Sequence, residues 1–260
     1  QAQGPLLVHQ EGATAVLTLH RPDARNALND EVLRRLMDAV TAVGGDDTVR
    51  ALVITGAGDR AFCAGADIRQ MQTMTEEDGR RWSMLGHDVF RAIEELPKPS
   101  VAAINGVAVG GGCELALACD FRIMSERAQL GQPEIKLGLI PGWGGTQRLP
   151  RLAGITLAKE MVLTGRLVGA DEALRAHLVH RVTPAEGVLA SATELAAQFA
   201  TLPPLAVGYA KRAINLGQDV DLPEAIALEV NLFVQAFATE DRAEGLAAFV
   251  EKRPPEFKGR

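Results

Sequence analysis

Ser100-Val101-Ala102-Ala103-Ile104-Asn105-Gly106-Val107-Ala108-Val109-Gly110-Gly111-Gly112-Cys113-Glu114-Leu115-Ala116-Leu117-Ala118-Cys119 holds a strand, a glycine turn and a helix start in one continuous segment. Ser100 to Ile104 is an apolar run of strand length behind the breaker Pro97-Lys98-Pro99, and Asn105-Gly106 turns the chain out of it. After the triple glycine, residues 114–119 read as a short helix, and Phe121-Arg122-Ile123-Met124 reads as the next strand. This order predicts an α/β fold with the glycine motif on a strand-to-helix turn. The segment also holds a first candidate for chemistry. Glu114 heads an apolar run that draws it toward the interior, where an unpaired carboxylate is costly or shifts its pKa.

Working outward, residues 14–19 alternate and are β-branched or apolar, so they predict a strand closed by His20-Arg21-Pro22-Asp23. Asn29 is a plausible N-cap for a helix in which Val32, Leu33, Leu36, Met37, Val40 and Val43 recur at helical spacing until Gly44-Gly45. Residues 51–55 predict a buried strand, residues 62–67 a loop, and the polar stretch after it a helix running to about Leu96. From Thr146 onward helical patterns dominate, at residues 156–163, 170–176 and after Pro184, and the sheet is expected to be finished except for one short strand at residues 179–182. Helices at residues 205–216, 222–238 and 241–250 follow Pro203-Pro204. We therefore expect a core over residues 1–200 and a helical unit over residues 201–260. The apolar side chains of that tail, Phe233, Phe237 and Phe249 among them, need cover from the core or from another subunit.

A chain of 260 residues with 47% hydrophobic content has material for one large core. Its formal charge of -6 offers no basic field, so neither nucleic acid nor a membrane surface is an expected partner. Cys63, Cys113 and Cys119 are odd in number and flanked by small or apolar residues, which points to reduced, buried thiols and a cytoplasmic compartment. His9, His20, His87, His177 and His180 show no ligand spacing with them, so no metal site is expected. No apolar run reaches the roughly 18 residues of a membrane span. The first residue is Gln1 rather than methionine, which leaves open the removal of a tag or targeting segment.

The opening helix of the glycine motif leaves backbone N–H groups free, and glycine lets a substrate come close to them. The turn Gly65-Ala66 can supply a second donor, and two such donors make an oxyanion hole. Read by itself, the triplet equally serves tight strand-helix packing. A P-loop is disfavoured because no Gly-Lys-Ser/Thr follows, and a dinucleotide fingerprint because Gly-x-Gly-x-x-Gly is missing from the first strand-helix turn. Glu134, in Gly131-Gln132-Pro133-Glu134, is the second acid, although alone it reads equally as a solvated loop glutamate. Paired carboxylates divide acid and base work when their surroundings push their pKa values apart.

Together these segments resemble the enoyl-CoA hydratase (crotonase) family in order and spacing. The residues that carry the resemblance are Arg25-Asn26-Ala27-Leu28, Ala61-Phe62-Cys63-Ala64-Gly65-Ala66-Asp67, Asn105-Gly106 with the glycine motif and Glu114-Leu115, Gly131-Gln132-Pro133-Glu134, and Pro141-Gly142-Trp143-Gly144-Gly145-Thr146-Gln147-Arg148-Leu149. It continues into Phe237-Ala238-Thr239-Glu240-Asp241-Arg242 and Ala248-Phe249-Val250-Glu251-Lys252-Arg253, so it spans nearly the whole chain.

The resemblance implies a spiral core of repeated β-β-α units with a C-terminal helical region used in trimerisation, and hexamers built from two trimers. It implies that Ala66 and Gly111 supply the oxyanion N–H groups and that Glu114 and Glu134 are the catalytic carboxylates, read here as base and acid. For coenzyme A it implies Arg25, Ala27 and Leu28, the loop residues Ala64, Asp67, Ile68 and Arg69, and the tail residues Phe233, Phe249 and Lys252. The reaction it implies is addition of water to a 2-trans-enoyl-CoA, in fatty acid or branched-chain acyl-CoA degradation. No cofactor is needed beyond the coenzyme A of the substrate. Two acids around a water favour hydration over double-bond isomerisation. Residues 210–215 and 251–259 look like the methylglutaconyl-CoA hydratase branch, one member of which binds RNA. Residues 41–50 lack the lysine-rich footprint of that member, so RNA binding is disfavoured. Met71, Met74, Trp82, Leu85 and Trp143 are candidates for the acyl pocket wall.

Overall fold

A computed structural model describes residues 4–260. An antiparallel pair, β1 (Leu6–Glu11) and β2 (Thr14–Leu19), leads into α1 (Asp30–Gly45), with the Asn29 side chain accepting the N–H of Val32 at 2.9 Å as the predicted cap. The chain then repeats one unit: β3 (Ala51–Gly56), β4 (Ala61–Cys63), α2 (Ile68–Met71) and α3 (Glu76–Glu95); β5 (Ser100–Ile104), β6 (Val107–Val109) and α4 (Gly111–Ala118); β7 (Phe121–Ser125), β8 (Gln129–Gly131) and a 3-10 turn over Pro133–Leu137. Next come α5 (Gly145–Ala153), α6 (Ile155–Thr164), β9 (Leu167–Gly169), α7 (Ala170–Arg175), β10 (Arg181–Thr183) and α8 (Val188–Phe199). The tail is α9 (Pro204–Gly217), α10 (Leu222–Phe237) and α11 (Glu240–Glu251).

Each turn of this spiral gives its first strand to one sheet and its second to another. The large sheet runs β1-β2-β3-β5-β7-β10, parallel except for β1, and the small one runs β4-β6-β8-β9, parallel except for β9. The β-β-α spiral expected from the family resemblance is therefore the fold. Strand β3 shows why its sequence is an unbroken apolar run. Leu52 and Ile54 face the main core, while Ala51 and Val53 face a second cluster with Val101, Ala103 and Ile123 under Val188, Ala192 and Ala196 of α8. A strand covered on both faces has no polar side to display.

Four expectations change. The segment read as a loop at residues 62–67 begins in β4, and the sheet continues past residue 146 with β9. Strand β1 was not foreseen, and the polar helix expected up to Leu96 is two helices. Thr75 interrupts them by capping α3: its side chain accepts from the N–H of Asp78 at 3.2 Å, and Asp78 answers to the N–H of Thr75 at 3.1 Å. The strands missed in the small sheet have three residues each, too few for a period of two to register.

The helical tail starts where Pro203-Pro204 placed it, with Pro204 in the first turn of α9. Lys211 of α9 ties it to the core, donating to the carbonyls of Ile93 and Lys98, each at 3.2 Å, and to the Asp120 carboxylate at 2.7 Å. Among the described residues no helix is long and apolar enough to cross a membrane.

Candidate active site

The small sheet positions the site. Strands β4, β6 and β8 lie side by side and parallel, and the chain leaving them carries Gly65-Ala66, Gly110-Gly111 with Glu114, and Gln132 with Glu134 respectively. Residues far apart in sequence thus meet at the ends of three adjacent strands, a recurrent place for sites in parallel sheets.

At the first two ends, backbone geometry sets the donors. Gly65 has φ +96° and Gly110 φ +54°, conformations that favour glycine, and a Cβ on Gly65 would stand 2.9 Å from the Val109 carbonyl. A Cβ on Gly111 would lie 3.4 Å from the Ala66 nitrogen, so the two turns lie close together. The surrounding backbone bonds run through their neighbours: Leu28 N–H to Gly65, Asp67 N–H to Leu28, each at 2.8 Å, and Gly110 N–H to Gly131 at 2.9 Å. Among the described residues the N–H groups of Ala66 and Gly111 have no such acceptor. Gly112 does the packing that the glycine triplet equally suggested, because a Cβ there would come 2.1 Å from the Cys63 carbonyl oxygen.

Glu114 is 1% exposed, as its apolar neighbours predicted. One oxygen, Oε1, accepts the N–H of Trp143 at 2.8 Å and of Gly145 at 2.7 Å. Burial pushes its pKa up, and these two donors with the charge of Arg148 pull it back. Glu134 sits in the first turn of the 3-10 segment with an oxygen 3.1 Å from where a Gly110 Cβ would be. Its carboxyl is pushed up to about 7, first by burial and then, against its own backbone N–H, by the nearby Glu114 charge. Glu134 is half-buried rather than a fully solvated loop acid.

Gln132 is the residue that the sequence reading missed. It is fully buried, and its side-chain amide faces Glu134; with the nitrogen turned toward the carboxylate it donates to Oε1 at 2.9 Å and Oε2 at 3.3 Å. Its position two residues before an acid was the only available signal, and a single glutamine in a loop does not announce burial.

The residues expected to hold coenzyme A fall into two groups. Arg25 to Leu28 and Ala64 to Asp67 are stitched into one wall by Ala64 N–H to Arg25 at 3.0 Å, the Leu28 and Asp67 bonds above, and the bridge Leu28–Ala66. Asn26 locks that wall by donating to the carbonyls of Ala57 at 2.9 Å and Ala61 at 2.8 Å. The Asp67 carboxylate is taken up by Arg21, at 2.8 Å, and by capping α2 through the Arg69 N–H, while Arg25, Ile68 and Arg69 are exposed on the rim. Phe233, Phe249 and Lys252 stand exposed on α10 and at the end of α11, with no hydrogen bond to this wall among the described residues.

Of the acyl-wall candidates, Met74, Trp82 and Leu85 border a cleft of about 370 Å³, Met71 packs beside the core, and Trp143 is buried behind Trp82 with their rings edge-to-face at 5.0 Å. A somewhat larger cleft, about 410 Å³, lies between β1 and α1 and contains none of the site residues.

A β-β-α spiral that sets two unpaired N–H donors beside one buried and one half-buried carboxylate defines an enzyme built to polarise a carbonyl and move protons next to it. Comparison with known proteins gives the class its family: residues 9–260 match the enoyl-CoA hydratase/isomerase family, and the chain belongs to it. It is 46% identical over 252 residues to the crotonyl-CoA hydratase of Syntrophomonas wolfei, covering 97% of each chain. It is 44% identical over 256 residues to the short-chain-enoyl-CoA hydratase of Clostridium acetobutylicum, covering 98% of each. Among solved structures it superposes on an enoyl-CoA hydratase from Bacillus anthracis with TM-score 0.95 and 42% identity, over 99% of this chain and 100% of that one.

Proposed function

We infer that this enzyme adds water across the double bond of a 2-trans-enoyl-CoA to give a 3-hydroxyacyl-CoA, and that its acyl chains are short. The observation that carries the reaction is the juxtaposition of the Ala66 and Gly111 N–H groups with the buried Glu114 and the half-buried Glu134. As water adds, charge builds on the thioester oxygen, and two fixed donors stabilise it, each worth roughly 3 kcal/mol in comparable oxyanion holes. Glu114, fixed through one oxygen, leaves the other for the attacking water and takes its proton. Glu134, whose pKa near 7 lets it hold a proton at neutral pH, delivers one to the α-carbon. No metal or redox group enters these steps. The coenzyme A portion lies along the wall of Arg25 to Leu28 and Ala64 to Arg69, with Phe233, Phe249 and Lys252 reaching it from a neighbouring subunit of a homo-oligomer.

The short-chain reading is supported by Trp143 and by the names of the two relatives. The Trp143 indole is wedged between α3 and α4: a Cβ on Gly86 or on Gly111 would come within 2.3 Å of it. It therefore lies against an oxyanion donor while its backbone holds Glu114, and we place the acyl chain beyond the reacting carbons against it. The test is loss of the conjugated-enone absorbance of crotonyl-CoA in chelator-treated buffer, across a chain-length series that includes 3-methylglutaconyl-CoA and a 3-enoyl-CoA. We expect Glu114→Gln and Glu134→Gln each to lower turnover at least about a hundredfold. Wild-type activity in both variants would remove the assignment.

A further inference from the structure

The two N–H groups that hold Glu114 belong to a turn with little rigidity of its own. Gly144 takes φ +107°, and residues 141–145 contain three glycines. What fixes the turn is α3, at three points. The Ser83 hydroxyl donates to the Gly142 carbonyl at 2.7 Å, and the Trp143 indole N–H reaches the Trp82 carbonyl at 3.3 Å. The third point is an arginine. Arg148 Nη1 donates to the Trp143 carbonyl at 2.7 Å, while its Nε and Nη2 form a paired contact with both Glu94 oxygens at 2.6 Å. A Cβ on Gly144 would stand 2.1 Å from Arg148 Nη1, so the guanidinium needs glycine there to reach the carbonyl. Glu94 is steadied in turn through its own carbonyl, which accepts from Asn215 of α9 at 3.1 Å.

We propose that Arg148, held by Glu94, is a positioning residue for Glu114, fixing the turn whose Trp143 and Gly145 N–H groups orient that carboxylate. The proposal rests on the reading of Glu114 as a catalytic carboxylate. The planar fork suits the task, since it grips a carboxylate with one edge and a carbonyl with the remaining nitrogen, and a lysine offers no such geometry. The charge has a second consequence. Arg148 from α5 is the charged group that lowers the proton affinity of Glu114, and Glu134 from the 3-10 turn is the other titratable group facing it; the adjacent Cys113 thiol stays neutral because burial raises its pKa. Arg148 itself is faced by Glu94 and by His87, whose pKa is lowered by burial and by Arg148, so His87 adds no compensating cation near neutral pH.

The experiment compares wild type, Arg148→Lys, Arg148→Gln and Glu94→Gln on crotonyl-CoA for kcat, KM and the pH profile of kcat/KM, with Glu114→Gln and the double variant Glu114→Gln/Arg148→Gln alongside. Misplacing the carboxylate is expected to lower kcat roughly tenfold to a hundredfold in Arg148→Gln while KM changes far less. The acidic limb of the profile should move to higher pH in Arg148→Gln and stay in place in Arg148→Lys, which keeps the charge and loses the fork. In the Glu114→Gln background, Arg148→Gln should cost nothing further, because its effect runs through Glu114. Glu94→Gln leaves Arg148 in place and carries the test if Arg148→Gln fails to fold, with a several-fold fall in kcat expected. An unmoved acidic limb in Arg148→Gln, or additive losses in the double variant, overturns the proposal. A wild type inactive on every enoyl-CoA overturns the hydratase reading instead, and the two failures are thereby told apart.

Discussion

Glu134 is the carboxyl read here as the acid, and its surroundings raise its hold on a proton. Burial and the neighbouring Glu114 charge lift it to about 7, against the pull of its own backbone N–H. A group that works protonated loses effect as pH rises through its pKa. We therefore expect kcat/KM to fall about tenfold per unit above a limb near pH 7, and Glu134→Gln to abolish that limb along with most of the rate. An alkaline limb unchanged in a slow Glu134→Gln enzyme would assign the titration to another group. At the same scale, Trp143→Ala opens space beside Gly111 and should shift the ratio of kcat/KM values toward longer enoyl chains by roughly tenfold or more, the range one or two methylenes are worth in an apolar pocket. A variant with unaltered chain-length preference would show that the indole does not bound the acyl site. Glu114 was legible as a buried acid from its apolar neighbours, whereas Glu134 alone read equally as a solvated loop glutamate and gained its role only from the family resemblance. Gln132 was not, because nothing in Gly131-Gln132-Pro133 marks a glutamine as buried.

Length and burial together governed which strands the sequence showed: β1, six residues but exposed over most of its length, was missed. The strands of the large sheet's interior, five or six residues of apolar sequence, were readable as strands, as were α1 with its Asn29 cap and the tail helices. The small sheet was hidden, since each of its strands spans only three residues. Yet that sheet aligns Ala66, Gly111 and Glu134, so the site's composition could be guessed from motifs while its assembly could not. Gly112 tests the join between the sheets and α4. It sits on the Cys63 backbone, which cannot swing aside as a side chain would, and a Cβ would overlap the Cys63 carbonyl oxygen at 2.1 Å. Gly112→Ala is expected to lower stability by about 1–3 kcal/mol through overpacking, and to displace β4 with the Ala66 donor behind it. The checks are the thermal midpoint and kcat on crotonyl-CoA. A variant with wild-type stability and rate would mean that α4 can shift without consequence for the hole.

The molecule as a whole leaves an apolar surface that a lone chain has no means to cover. On α10 the residues Leu222, Ile226, Val230, Phe233, Val234 and Phe237 recur at intervals of three and four, and all are exposed, Leu222 at 71% and Phe233 at 63%. Helix α11 adds Phe249 at 84% and Val250 at 79%. A stripe at helical period normally faces a core, and here it faces outward, which is the pattern of an interface between subunits. Residues 237–242 show how the tail stays ordered without a core of its own: Arg242 lies 4.2 Å over the Phe237 ring, and Asp241 accepts the N–H groups of Lys258 and Gly259 at 2.6 and 2.8 Å. If this stripe is a subunit interface, it bears on the site, because Phe233, Phe249 and Lys252 stand exposed in the same tail and were expected to bind coenzyme A. Sedimentation of the wild type at micromolar concentration should give a mass several times 27.7 kDa, and the double variant Val230→Asp/Phe233→Asp should fall toward the single-chain value. If the tail also covers coenzyme A from a neighbour, the dissociated variant should lose affinity for the substrate, seen as a raised KM, more than it loses kcat. A wild type that sediments as a single chain would leave the stripe without its partner and place coenzyme A binding entirely on the wall of Arg25 to Leu28 and Ala64 to Arg69.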